Sequence, residues 1–387
     1  MDFELNDDQR ALQEGVRRLC ESFGDKYWIS VDAEARYPAE FVAALSRDGW
    51  LGVLIPAEYG GGELGVTEAA LIIQEIHASG ANAACAHAQM YTMGTILRHG
   101  SSAQKAQFLP DIAAGRIRLQ AFAVTEPGAG SDTGRLRTTA VRRGDVYVVN
   151  GQKIWTSRAN HSDLMILLAR TSAVDESRSR TDGLSVFIVD MREAVGRGMT
   201  IKPIKTMISH DTNEIFFEDL EVPAGNLIGE EGQGFRYILS GMNVERILVA
   251  SEALGDGKWF VERASRYGSE RIVFDRPIAQ NQGIQFPIAR AYADLLAAEL
   301  LCLRAASRYD KGLPCGPDAN MAKLLASEAS WQAANAAMDT HGGFGFASEY
   351  SIERKFRETR LYKIAPISNN LVLSYVAQHV LGMPRSY

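Results

Sequence analysis

Residues 122–133 read Phe-Ala-Val-Thr-Glu-Pro-Gly-Ala-Gly-Ser-Asp-Thr and continue the apolar pairs that begin at Leu119. That order predicts a short strand breaking into a glycine turn. Gly128, Ala129 and Gly130 carry almost no side chain, so the amides of the turn are expected to lie uncovered, and Ser131 adds a hydroxyl beside them. Backbone N–H groups bared in this way can approach a phosphate closely. The same composition also builds plain surface turns, so the surrounding chain must decide what this one does.

Few other chemistries have the residues they need. Cys20, Cys85, Cys302 and Cys315 are scattered without metal-ligand spacing and read as reduced structural thiols, so no metal is expected. A formal charge of -6 and the lack of a long Lys/Arg block disfavour nucleic acid and anionic membranes as partners. No run approaches the roughly 18 apolar residues a bilayer span requires. Phe3-Glu4-Leu5-Asn6-Asp7 reads as a helix start with no charged-then-apolar leader before it, which gives a cytoplasmic expectation.

The elements that position the turn follow from periodicity. From an N-cap at Asn6 or Asp7, apolar residues at Leu12, Val16, Leu19 and Phe23 recur at helical spacing, and helical patterns cover 38–48, 66–79, 83–99 and 102–114. The pattern then changes. Runs 146–149, 164–168, 184–189 and 215–217 are short, β-branched and bounded by turn signals, including Gly144-Asp145 and Asn150-Gly151, and 172–182 reads as an exposed loop. After residue 234 the helical period returns over 235–267, 281–311, 318–341 and about 367–381. The predicted fold class is α+β: an N-terminal all-helical domain (1–117), a middle β-barrel or sandwich domain (118–224) and a C-terminal four-helix bundle (225–387).

This order, with the glycine turn at its first junction, resembles the acyl-CoA dehydrogenase family over essentially the full length. The resemblance rests on Phe122–Asp132, Asn150–Ser157, Glu270–Phe274, Gln282 and His341–Phe346 taken together. It implies a homotetramer with one FAD per subunit that oxidises the Cα–Cβ bond of an acyl-CoA to a trans-2-enoyl-CoA and passes electrons to an electron-transfer flavoprotein. By the same resemblance, Phe122, Val124, Thr125, Trp155 and Ser157 surround the flavin, with Ser157 where relatives usually have Thr. Gly130 and Ser131 lie near the pyrophosphates of FAD and CoA, Arg271, in one motif with Phe274, reaches the FAD pyrophosphate of a neighbouring subunit, and Gln282, Gly342 and Gly343 are its adenosine-side contacts. Ser368 and Asn370 complete the cofactor contacts, while Ser131, Asn243, Arg246 and Ala365 are matched to the substrate.

The catalytic carboxylate departs from the commoner family pattern. Many members carry Tyr-Glu-Gly-Thr on the loop after the Arg-Glu pair matched here by Arg357-Glu358; this chain reads Ile364-Ala365-Pro366-Ile367-Ser368-Asn369, with Pro366 at the glutamate position. Isovaleryl-CoA and long-chain members instead take the base from the first bundle helix, where this chain has Asn243-Val244-Glu245-Arg246. Glu245 is therefore expected to be the base, with a pKa raised by desolvation in an apolar pocket. Pro366 also lacks the N–H that relatives give to the thioester carbonyl. Either the register is shifted by one residue, or the ribityl hydroxyl of FAD and another group share that role. Ala365, where a bulky tyrosine is common, opens space that suits a branched acyl chain. Two alternatives share the fold: a desulfinase or flavin-dependent oxygenase, and a non-catalytic flavoprotein subunit.

Overall fold

The computed structural model describes residues 4–173 and 179–385. The chain begins with helices α1 (Asp7–Glu21), α2 (Asp25–Ala33), α3 (Ala39–Arg47), α4 (Val66–Ala78), α5 (Ala84–His99) and α6 (Ser102–Ala113). Strands β1 (Leu119–Ala123), β2 (Thr139–Arg143), β3 (Val146–Ser157), β4 (Leu164–Arg170) and β5 (Leu184–Asp190) follow, then the short α7 (Met191–Ala194), β6 (Met199–Pro203), β7 (Thr212–Pro223) and β8 (Leu227–Ile228). The C-terminal part holds α8 (Gly234–Glu270), a hairpin of β9 (Ile272–Val273) and β10 (Arg276–Pro277), α9 (Gln282–Asp310), α10 (Gly316–His341), α11 (Ile352–Arg360) and α12 (Asn369–Tyr375). No helix among the described residues is long and apolar enough to cross a membrane.

Two compact units result. One gathers residues 35–64 and 85–242, and the other gathers 1–34, 65–84 and 243–387. The first is built on one sheet in the order β6-β7-β3-β2-β4-β5-β8, with β1 added parallel to β4. β4 is buried along its whole length, as a strand covered on both faces must be, and its apolar run Leu-Met-Ile-Leu-Leu-Ala follows from that. Asn150-Gly151, predicted as a turn, lies inside β3 as an irregularity in its pairing with β7. Gly151 has φ +146°, and a Cβ there would stand 2.6 Å from Thr138 Oγ1, so the pair serves close strand approach.

The second unit packs α1, α2 and α4 with the C-terminal helices. Asn6 caps α1 through a reciprocal pair with Gln9, at 2.8 and 3.2 Å. The start of α4 has glycine at its cap, and the carboxylate of Asp310 from the end of α9 takes over: it accepts from Val66 N at 2.7 Å, Thr67 N at 2.9 Å and Thr67 Oγ1 at 2.6 Å. Asp310→Ala is expected to cost about 1–2 kcal/mol, read as a shift of the urea midpoint at unchanged slope.

Two helices escape the apolar periodicity. α2 carries weak amphipathicity and was not expected after Phe23. α11 is mostly charged, yet its Arg354 and Lys355 are buried. Arg354 donates to Gly80 O at 2.8 Å and Glu358 Oε1 at 2.9 Å, and Lys355 pairs with Asp256 and donates to Ala81 O at 3.1 Å. His77 Nδ1 lies 2.7 Å from the same Asp256; burial works to lower the His77 pKa, and the neighbouring carboxylates raise it by more. Together these pairs fix α11 against α4 and α8. The last helix starts at Asn369 because the Ser368 hydroxyl caps Leu371 N, and it ends in a π turn over Val376–Val380. Of the predicted 172–182 loop, residues 174–178 lie outside the described part.

Candidate functional site

In the first unit, β1 ends at Ala123 and the chain turns at Glu126–Ala129, closed by reciprocal backbone bonds of 3.1 and 3.0 Å. The Ala129 amide is thereby committed to Glu126 O and is not bare as the sequence led one to expect. Gly128 and Gly130 are exposed; a Cβ at Gly128 would meet nothing within 4 Å, and one at Gly130 only Thr125 Cγ2 at 3.9 Å. Ser131 is exposed beside them. The open side of the turn can therefore accept a bulky anionic group.

The structure brings this turn together with the Trp155 segment. Thr125 O accepts from Ile154 N at 2.9 Å, and β3 is irregular between Lys153 and Thr156. At the irregularity Trp155 takes φ +63° and leaves its indole 56% exposed. A tryptophan with positive φ and an exposed ring is held against both backbone preference and burial tendency, a combination that clusters at ligand sites. Next to it the Thr156 hydroxyl is buried with no hydrogen-bond partner among the described residues. Phe122, Val124, Thr125 and Ser157 are half-buried around the same junction. An orphaned hydroxyl, an exposed indole and an open glycine turn suit a planar cofactor carrying phosphates.

The junction is clamped from beneath by two residues to which the sequence reading gave no role. Lys153 is fully buried, and its Nζ donates to Val124 O at 2.9 Å and Glu126 Oε1 at 3.0 Å. Glu126 also accepts from Arg137 N at 2.7 Å and Thr138 N at 2.9 Å. Burial pulls Lys153 down to about 8, against the pull of Glu126. For Glu126, burial pushes upward, but Lys153 and the two amides hold it below the usual carboxylate value.

The second unit places the remaining candidates. Glu245 is only 9% exposed on α8, not the solvated helix glutamate that bare spacing would give. Arg246 follows it; burial lowers its pKa while the Glu245 charge opposes that shift. Arg246 Nη1 donates to Asn243 Oδ1 at 3.2 Å, and its Nε is buried without a partner among the described residues. Tyr375 of α12 closes on the same spot, its hydroxyl 3.3 Å from where a Cβ at Gly316 would be. The loop from Ile364 to Ser368 is tied down by Lys323 of α10, which donates to Ile367 O at 2.6 Å and Asn369 Oδ1 at 2.8 Å. Burial brings Lys323 down to about 8, and Arg246 adds to the effect. Lys323 and Asn369 were missed; a lysine within the alanine-rich run of α10 was the available signal. Ala365 and Pro366 are half-buried, and the Ser368 hydroxyl serves as a helix cap while Asn370 is exposed.

Arg271, Phe274, Gln282, Gly342 and Gly343 are all exposed. The Arg271 guanidinium sits 5.7 Å from the Phe344 ring centroid, which draws β9 to the Gly342–Phe346 turn, and Phe274 at the hairpin tip is 93% exposed. A separate cleft lined by Gln107, Arg192, Glu193 and Glu221 contains none of the predicted site residues.

The chain is similar to known proteins along its whole length. Residues 6–116, 121–220 and 232–381 match the family models for the N-terminal, middle and C-terminal domains of acyl-CoA dehydrogenase. Acyl-CoA dehydrogenase FadE12 of Mycobacterium tuberculosis is 33% identical over 388 residues, covering 100% of this chain and 99% of that protein. The structure of butyryl-CoA dehydrogenase from Megasphaera elsdenii superposes with a TM-score of 0.91 at 30% identity, covering 98% of this chain and 100% of the other. The FAD complex of PigA gives a TM-score of 0.91 at 25% identity over 99% and 100% of the two chains. With all three domain models matched in order and the helical, β, helical architecture in place, the chain belongs to the acyl-CoA dehydrogenase family and is an FAD flavoprotein oxidoreductase.

Proposed function

We propose that the protein dehydrogenates an acyl-CoA thioester between Cα and Cβ to the trans-2-enoyl-CoA, with Glu245 taking the α-proton. The observation that carries this reading is the burial of Glu245 beside Arg246 in a chain whose 364–370 loop offers no carboxylate. A carboxylate kept from water gains proton affinity as a ligand completes its desolvation, while the neighbouring cation works the other way and keeps it ionised until then. When bound, FAD supplies the acceptor for the hydride that leaves Cβ. Val124 and Thr125 hold its polar edge, Phe122, Trp155 and Ser157 flank the ring, and Gly130 and Ser131 meet the pyrophosphates. Arg271, in one motif with Phe274, reaches the pyrophosphate of a neighbouring subunit's cofactor and Gln282, Gly342 and Gly343 serve its adenosine side, with Ser368 and Asn370 completing the set. Asn243, Arg246 and Ser131 hold the CoA moiety, and Ala365 leaves room for a short or medium, branched acyl chain. The functional segments in this reading are 1–117, 118–224 and 225–387.

In this reading the protein is a homotetramer, and the exposed apolar residues of the second unit, including Ile272, Phe274, Phe286 and Phe346, are available to its interfaces. An electron-transfer flavoprotein is the acceptor in this reading. Four free, buried cysteines suit a cytoplasmic setting.

The test is anaerobic titration of the purified yellow protein with straight and branched acyl-CoAs. Bleaching of the flavin absorbance by at least one thioester is expected. Absence of bleaching across the panel would overturn the reading in favour of a desulfinase or oxygenase on the same fold, which the missing loop carboxylate and the absent N–H of Pro366 favour.

A further inference from the structure

α5 is an unusual helix for its depth. From Cys85 to Ile96 every residue is buried except the half-buried Tyr91. A helix enclosed on all sides is ordinarily apolar throughout. This one places Gln89 and Thr92, both 0% exposed, one turn apart and therefore on a common face. Neither amide atom of Gln89 nor the hydroxyl of Thr92 has a hydrogen-bond partner among the described residues. Buried polar side chains are nearly always satisfied, and a buried primary amide with both ends open is a site shaped for a guest with a donor and an acceptor.

The position of this face relates it to the flavin junction. Tyr91, on the same turn, meets Phe122 edge-on at 5.2 Å, so this part of α5 packs on the strand that runs into the glycine turn. The residues matched to the cofactor all lie outside α5. The basic side chains of this helix are off the shared face: His87 stands two residues before Gln89, and the Arg98 guanidinium reaches back to Gly94, two residues past Thr92, at 3.1 Å from where a Cβ there would stand.

We propose that Gln89 and Thr92 form a polar receptor for the acyl group, so that the substrate is a CoA thioester whose chain carries an uncharged hydrogen-bonding function, a hydroxyl or an amide, rather than a plain hydrocarbon tail. This rests on the acyl-CoA reading above and sharpens it. A site that hydrogen-bonds a substrate group rejects the analogue lacking it far more strongly than an apolar pocket rejects an extra methylene, because its own polar groups are then left unpaired.

The experiment compares CoA thioesters of matched length that end in a methyl, a hydroxyl or a carboxamide. Two quantities are read on the holoenzyme: kcat/KM for anaerobic flavin reduction and Kd from the perturbation of the flavin spectrum. Wild type is expected to favour a polar thioester by at least about 10-fold in both. Gln89→Leu and Thr92→Val, singly and together, should shift that preference toward the methyl-ended thioester by a similar factor while FAD occupancy is retained. Thr92→Val is nearly isosteric and keeps the test valid if Gln89→Leu folds poorly. A methyl-ended preference in wild type, or a preference that no variant moves, would overturn the receptor and leave the pair bound to ordered water only. A carboxylate-ended thioester that outcompetes both neutral ones would overturn it too. If no thioester reduces the flavin, the dehydrogenase reading falls, and the Kd ratios still decide the receptor.

Discussion

Glu245→Gln should yield a folded, yellow protein that still binds acyl-CoA and whose flavin is no longer bleached by it. A positioned general base contributes about 10²–10⁴-fold, and the loop that supplies the base in many relatives here holds only Ile364, Ala365, Pro366, Ile367, Ser368, Asn369 and Asn370, none of which can substitute. The loss is therefore expected at the upper end of that range in single-turnover reduction. Glutamine preserves the shape of the buried side chain, so the change falls on the proton acceptor and on the negative charge that supports the buried Arg246. That guanidinium is already disfavoured by burial and loses an opposing charge, so a modest fall in stability should accompany the lost reduction. Stopped-flow reduction at the wild-type rate by the variant would remove Glu245 from the mechanism.

The sequence made α1 legible because its signals are local: Asn6 and Gln9 form the box that their spacing announces. The same holds for β4, whose apolar run is the mark of burial on both faces. α11 was illegible for the opposite reason. Its Arg354 and Lys355 are buried, and a rule that counts apolar residues reads a buried charge as a solvated one. Their partners, Gly80 O, Ala81 O and Asp256, lie far away in sequence, so no window could have paired them. The candidate site divides along this line. The glycine turn and Trp155 announced themselves through composition and motif order, whereas Asn369 and Lys323, which fix the 364–370 loop, depend on a contact 46 residues apart. Glu245 is intermediate: its residue type was visible in the sequence, and its burial was expected only through the role that the family resemblance implied.

Lys153→Met should strongly destabilise the first unit and should also empty the flavin site. The substitution keeps much of the buried volume but removes both bonds made by Nζ, to Val124 O and Glu126 Oε1. Glu126 then remains buried as a charge without its cation, and breaking a buried pair by deleting one partner costs about 3–5 kcal/mol. The structural consequence is directed, because Val124 belongs to the segment that, with Thr125, is joined to the Trp155 irregularity through Ile154 N. Once that carbonyl is released, the turn at Gly128 and Gly130 loses its fixed relation to the indole, and FAD content after purification should fall well below one per chain. Glu126→Gln removes the orphaned charge, so the double variant should recover part of the loss, with a coupling of about 0.5–3 kcal/mol in urea unfolding. The pH dependence has a definite sign. The folded Glu126 pKa lies below its ordinary value of 4.5, so its contribution is fully present above that value and is lost as the pH falls through the folded one. In the variant burial pushes Glu126 upward without the opposing cation, so the stability advantage of wild type over Lys153→Met should shrink progressively as the pH is lowered, starting above the ordinary carboxylate value of 4.5. Full FAD content and an unchanged urea midpoint in Lys153→Met would show that the pair does not position the junction.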